Sequence, residues 1–140
     1  MRLILLLLPL GLFADVNLAC QINLKSNYED NTIEMASGEY VITIDEIAKK
    51  LLIDEVPYMG YDTEGTAIKF RYAETSVIPQ TGILSILNIF SLNKVSGRLL
   101  HEVWFSKGIE ELDSVQILNT ENFDKSHTYE AKCRNVKPLF

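Results

Sequence analysis

Two histidines, two cysteines, several neighbouring carboxylates and a set of aromatic rings are the residues of this sequence with chemistry beyond packing. Hydrolysis by a protein nucleophile needs a base beside it and a third group that orients the base. His101 lies in an alternating run with Trp104, and His127 lies at a polar edge. Neither falls in a Gly-x-Ser-x-Gly or His-Glu-x-x-His pattern. Both read as satisfied or solvent-facing histidines. The carboxylates come as sequence neighbours: Asp54 with Glu55, Asp62 with Glu64, and Glu110, Glu111 and Asp113. Glycoside hydrolysis requires two carboxylates across a cleft, which adjacency in a loop does not supply. Asp62-Thr63-Glu64-Gly65 resembles the start of a calcium loop, but Ala73 stands where its bidentate Glu belongs. No catalytic, cofactor-binding or metal-ligating residue is assigned.

The aromatic residues divide into two groups. Phe70, Tyr72, Trp104 and Phe105 sit in alternating runs and read as core or sheet-face residues. Tyr58-Met59-Gly60-Tyr61 combines rings with a turn. If Tyr58, Met59 and Tyr61 are exposed together, they form a recognition loop. The alternative is a loop folded back onto the mouth of the domain.

The cysteines, Cys20 and Cys133, lie near the two ends of the chain. Redox catalysis wants a Cys-x-x-Cys pair, and two cysteines alone make no metal site. An even count in an exported chain reads as a disulfide. Closing a loop of this size contributes about 4–5 kcal/mol in the chain-entropy model.

Export is itself read from the N-terminus. Arg2 precedes an apolar run from Leu3 to Phe13 that ends in Ala14, the arrangement of a secretory signal peptide. The run is short of the roughly 20 apolar residues needed to span a bilayer. Residues 1–14 are therefore expected to be removed, leaving 15–140 as a single β-rich domain. Cleavage after Ala19 is the alternative. It would place Cys20 first and open the way to lipidation, although Asn17 and Asp15 make a poor lipobox. The net charge is −6, and −7 once Arg2 is lost. That balance argues against nucleic acid and against an anionic membrane surface, both of which select Lys and Arg clusters. No stable membrane insertion is expected after cleavage unless Cys20 is lipidated.

The elements that would position these residues are short and alternating, punctuated by Gly, Pro, Asn and Asp, which is the pattern of an antiparallel β protein. Strands are expected at Cys20–Lys25, Tyr40–Ile44, Thr66–Tyr72, Ile83–Leu92, Arg98–Phe105 and Thr128–Cys133. The segment after Ile44 is ambiguous. Thr43-Ile44-Asp45-Glu46 matches a capping box for a helix carrying Ile47, Leu51 and Leu52. A hairpin leading into a strand at Leu51–Asp54 is slightly favoured by the spacing. The acidic stretch from Ser106 to Lys125 allows a short helix around Glu110–Leu118 or a strand at Val115–Leu118. On the closing strand Tyr129, Ala131 and Cys133 share a face, which carries the cysteine toward the first strand. The expected fold is all-β with room for one short helix: an antiparallel meander of six to eight strands forming a curled sheet or small barrel. Contact between first and last strands would fit the disulfide and remove exposed edges.

The hairpin Ser91-Leu92-Asn93-Lys94-Val95-Ser96-Gly97-Arg98-Leu99 and the ending Tyr129 to Phe140 resemble a loose group of small, exported, uncharacterised bacterial β-proteins. In that group an Asn and a basic residue lead through Ser/Thr-Gly into the next strand, and a cysteine precedes a terminal Phe. The resemblance implies the fold and transfers no activity. Ser37-Gly38-Glu39-Tyr40 is one residue short of the Ser-Gly-x-x-Tyr signature of membrane-associated inhibitors of c-type lysozyme, and Trp104 follows at a wider gap than theirs. The leading expectation is a non-catalytic binding or interaction module of the bacterial envelope or secretome, periplasmic or secreted, without cofactor. It would take a protein or a small apolar ligand on a sheet face or at a barrel mouth. The alternatives are a small hydrolase with an unrecognised site and a lysozyme-inhibitor-like protein.

Overall fold

The structure is a computed structural model that describes residues 16–59, 61–107, 112–113 and 119–136. The proposed signal peptide, Gly60 and the segment expected to be helix or strand at 110–118 lie largely or wholly outside these residues. The described chain is all-β. Its strands are β1 (Val16–Asn27), β2 (Thr32–Met35), β3 (Glu39–Asp45), β4 (Lys50–Ile53), β5 (Val56–Met59), β6 (Asp62–Glu64), β7 (Ala67–Ile78), β8 (Gly82–Asn93), β9 (Arg98–Ser106) and β10 (Phe123–Asn135). They form one antiparallel sheet in the order β5-β4-β3-β1-β10-β9-β8-β7-β6, with β2 on β1. The count is ten instead of six to eight. The additional strands are β2, β5 and β6, three or four residues long, in stretches too short and too turn-rich to show an alternation.

Turn chemistry explains why the chain folds back where it does. Asp45 Oδ1 accepts from the backbone N–H groups of Ile47 (3.1 Å) and Ala48 (3.0 Å). The residue that could cap a helix therefore caps a hairpin turn instead, because Ser, Asn and Asp side chains serve both structures equally. Asp54 and Glu55, both at positive φ (50° and 72°), make the two-residue connection between β4 and β5. At the β8–β9 turn Asn93 Oδ1 accepts from Val95 and Ser96 N–H. Gly97 there has φ 75°, and a Cβ on it would lie 2.7 Å from the Cys133 carbonyl oxygen, so glycine is required twice over.

The sheet curls into a half-barrel. Tyr58 of β5, at one end of the strand order, stacks on Tyr72 of β7, near the other end, with ring centroids 4.3 Å apart. The concave face carries the core in successive cross-strand rows. One row is Ala131, Leu99, Leu92 and Ile68. The next is Tyr129, His101, Phe90 and Phe70, and the one after that is His127, Val103, Asn88 and Tyr72. Burial makes the first of these rows almost inaccessible, at 0–5% exposure.

First and last strands pair, as the disulfide expectation requires. Cys20 of β1 lies directly opposite Cys133 of β10, and the two are bridged across 113 residues with a Cα–Cα distance of 3.8 Å.

Candidate functional site: a mouth pocket and a histidine layer

Two places on the concave side gather side chains with chemistry. At one end of the half-barrel is a pocket of about 440 Å³. Its floor is apolar: Leu18, Ile44, Ile68, Leu92 and Cys133, each under a tenth exposed. Each floor residue is the inward member of an alternating strand, so the sequence pattern that builds the core also builds the floor. The rim is mostly polar and comes from two turns and the end of a strand. Glu46 stands on the β3–β4 turn, residues 93–97 form the β8–β9 turn, and Arg134 and Asn135 end β10. The volume falls in the range of about 300–1,000 Å³ typical of small-molecule sites.

Toward the other end, His101 occupies the centre of the aromatic row. It is 9% exposed and stacks on Phe90 with centroids 4.0 Å apart. Tyr40 reaches it from β3, across β1 and β10, and its Oη lies 2.6 Å from His101 Nδ1. His101 Nε2 lies 2.7 Å from Asn88 Oδ1. The assignment that satisfies both contacts is a neutral imidazole, with Nε2–H donating to Asn88 and Nδ1 accepting from the Tyr40 hydroxyl. Burial supports it by pushing the imidazole down to about 4, with the nearby His127 adding to the effect. The same burial raises the Tyr40 and Tyr72 phenols, so both stay protonated. Asn88 is 5% exposed, and its Nδ2 has no hydrogen-bond partner among the described residues.

His127 sits one row further out. Ser126 Oγ lies 2.9 Å from its Nδ1. A register shift between Lys125 and His127 puts an extra residue into β10 and turns this serine toward the histidine. Burial, and then the Lys25 ammonium, hold the His127 imidazole below its usual value. Among the described residues no carboxylate bonds either histidine. No cluster of three metal-ligating side chains occurs among those residues either.

The residues singled out as a recognition loop are placed as follows. Tyr61 is 6% exposed and belongs to the core, and Tyr58 packs against Phe70 and Tyr72. Both rings are folded back onto the molecule. Met59 pairs with Lys50, and its side chain lies outside the described residues. Sequence reasoning missed the Tyr40–His101–Asn88 layer and the mouth pocket. The inward alternation of Leu92 and the Asn93–Gly97 turn were visible. The partners that complete both sites lie tens of residues away in the chain, and no local pattern announces them. The chain matches no protein-family model, and no curated protein or solved structure matches it either.

Proposed function

We propose that the mature protein is an exported, non-catalytic binding protein of the bacterial envelope or secretome. In this reading the pocket at the mouth of the half-barrel takes a small apolar ligand. The observation that carries the reading is the pocket's construction, a buried apolar floor under a polar rim, on a scaffold cross-linked between its first and last strands. A disulfide fits an oxidising compartment, and the N-terminal pattern and the likeness to exported bacterial β-proteins support export. The test uses N-phenyl-1-naphthylamine, an uncharged apolar fluorophore. Saturable binding to the wild-type protein is expected. Val95→Trp should weaken it, because Val95 lines the pocket, is 80% exposed and tolerates a large ring without repacking the core. Absence of saturable binding, or binding that ignores this substitution in a folded variant, would overturn the reading.

A second reading, a small hydrolase, is favoured by one contact, Ser126 Oγ on His127 Nδ1. The serine would be the nucleophile and the neutral histidine its base. Turnover of a p-nitrophenyl ester that is lost in Ser126→Ala would establish it. No difference between the two proteins would remove it.

A further inference from the structure

The rim of the mouth pocket carries two cationic side chains. Lys94 extends from the β8–β9 turn and Arg134 from the end of β10, and both line the pocket. Elsewhere Lys25 pairs with Glu34, Lys69 with Glu64, Arg98 with Glu130, and Lys125 with Glu102, while Lys49, Lys50, Lys107 and Lys132 make no ion pair among the described residues. Neither Lys94 nor Arg134 makes an ion pair among the described residues, although the chain carries 19 carboxylate side chains against 13 cationic ones. In so acidic a chain, two cations on the rim of one apolar pocket are a local reversal of sign. Asn135 adds a side-chain amide to the same rim. One carboxylate, Glu46, also lines the pocket, from the β3–β4 turn.

We propose that this pocket binds a monomeric amphiphile with an anionic head, namely an alkyl carboxylate of medium chain length. Its chain lies on Leu18, Ile44, Ile68 and Leu92, and its carboxylate sits between Lys94 and Arg134. The inference rests on reading the pocket as a ligand site and adds the class of ligand. The chemistry follows from the lining. An alkyl chain gains by leaving water for the floor. A carboxylate accepts charge-assisted hydrogen bonds from a guanidinium and an ammonium, and a guanidinium fork matches both of its oxygens. A neutral alcohol of the same chain would bind through the floor alone. A cationic amphiphile would meet two like charges and gain only Glu46.

The experiment is an NMR and calorimetric titration of the disulfide-intact protein with decanoate, 1-decanol and decyltrimethylammonium. Decanoate should shift the methyl signals of Leu18, Ile68 and Leu92 and bind about tenfold more tightly than decanol, a rim-exposed share of a charge-assisted contact. The cation should bind most weakly. Lys94→Ala combined with Arg134→Ala should bring decanoate to the affinity of decanol and leave decanol unchanged. Both side chains are exposed, so the fold should survive, which the melting temperature checks. Glu46→Gln should strengthen decanoate and leave decanol alone. Equal affinity for decanoate and decanol would overturn the head-group inference and leave the pocket reading standing. Failure of both ligands to shift the floor methyls would overturn the two together. Binding to phosphatidylglycerol vesicles with no affinity for free decanoate would also overturn the inference, because the anion would then be a membrane headgroup.

Discussion

The row Ala131, Leu99, Leu92 and Ile68 lies beside the row Tyr129, His101, Phe90 and Phe70 on the same concave face, and the two solve burial differently. The first contains no polar side-chain atom and is 0–5% exposed. Its stability comes from apolar area removed from water, which is non-directional and tolerant of exchange among residues of similar volume. The second buries an imidazole, and a polar group there costs free energy unless it is bonded. His101 meets that demand with Tyr40 from β3 and Asn88 from β8, at 2.6 and 2.7 Å. Its stability therefore depends on particular atoms in particular places. The face grades from interchangeable packing to specified bonding within two residues along each strand.

Removal of the covalent bridge should give the largest effect. Cys20 and Cys133 sit on the apolar side of this boundary, and their bond joins β1 to β10 across 113 residues. Replacing both by Ala should cost about 4–5 kcal/mol on the loop-closure account, read as a lowered urea midpoint. A loss smaller than that of a single change in the histidine layer would break the comparison, because the layer would then hold the fold more firmly than the bridge does.

Legibility in the sequence follows the same boundary. The apolar rows were readable because alternation is local. Ile83–Leu92 gave β8, Arg98–Phe105 gave β9, and the shared face of Ala131 and Cys133 placed the cysteine opposite β1. The curled antiparallel sheet and the disulfide follow from that much. The histidine layer was not readable. Tyr40 and His101 are 61 residues apart, and nothing near either one distinguishes a tyrosine that points at a histidine from one that packs on a sheet. The capping signal at Asp45 is two-valued for a physical reason, since the same carboxylate can serve a helix start or a turn. The mouth pocket draws its floor from local alternation and its rim from two turns and the end of β10, which only the folded sheet brings together.

The next effect sharpens the comparison through pH. Burial lowers the His101 imidazole from 6.5 to about 4, so the unfolded chain binds a proton that the folded chain refuses between those values. Stability should be complete above about pH 6.5, fall as the pH drops toward 4, and level off below, by on the order of 3 kcal/mol in all. His127 is lowered as well and adds in the same direction. Asp30, lowered by its hydrogen bond from Thr32, acts only further into acid, where its carboxyl protonates. Urea unfolding across pH 4–8 should show this slope in the wild-type protein and a much flatter line in His101→Gln. An unchanged slope in that variant would assign the acid sensitivity to other groups.

The smallest effect isolates one bond. Tyr40→Phe keeps the ring that packs edge-on against Phe90, with centroids 5.8 Å apart, and removes only the hydroxyl on His101 Nδ1. A buried acceptor left without its donor costs about 1–3 kcal/mol. Tyr129→Phe is the matched control. Its ring lies 5.8 Å from His101 in the same row, but its hydroxyl makes no hydrogen bond among the described residues. Its change should fall within about 0.5 kcal/mol of zero, as for substitutions that disturb no buried feature. Tyr40→Phe should also move the His101 titration measured by NMR, and Tyr129→Phe should leave it nearly in place. Equal losses from the two changes would mean that the layer, like its neighbour, is held by ring area. The distinction between interchangeable and specified packing would then disappear.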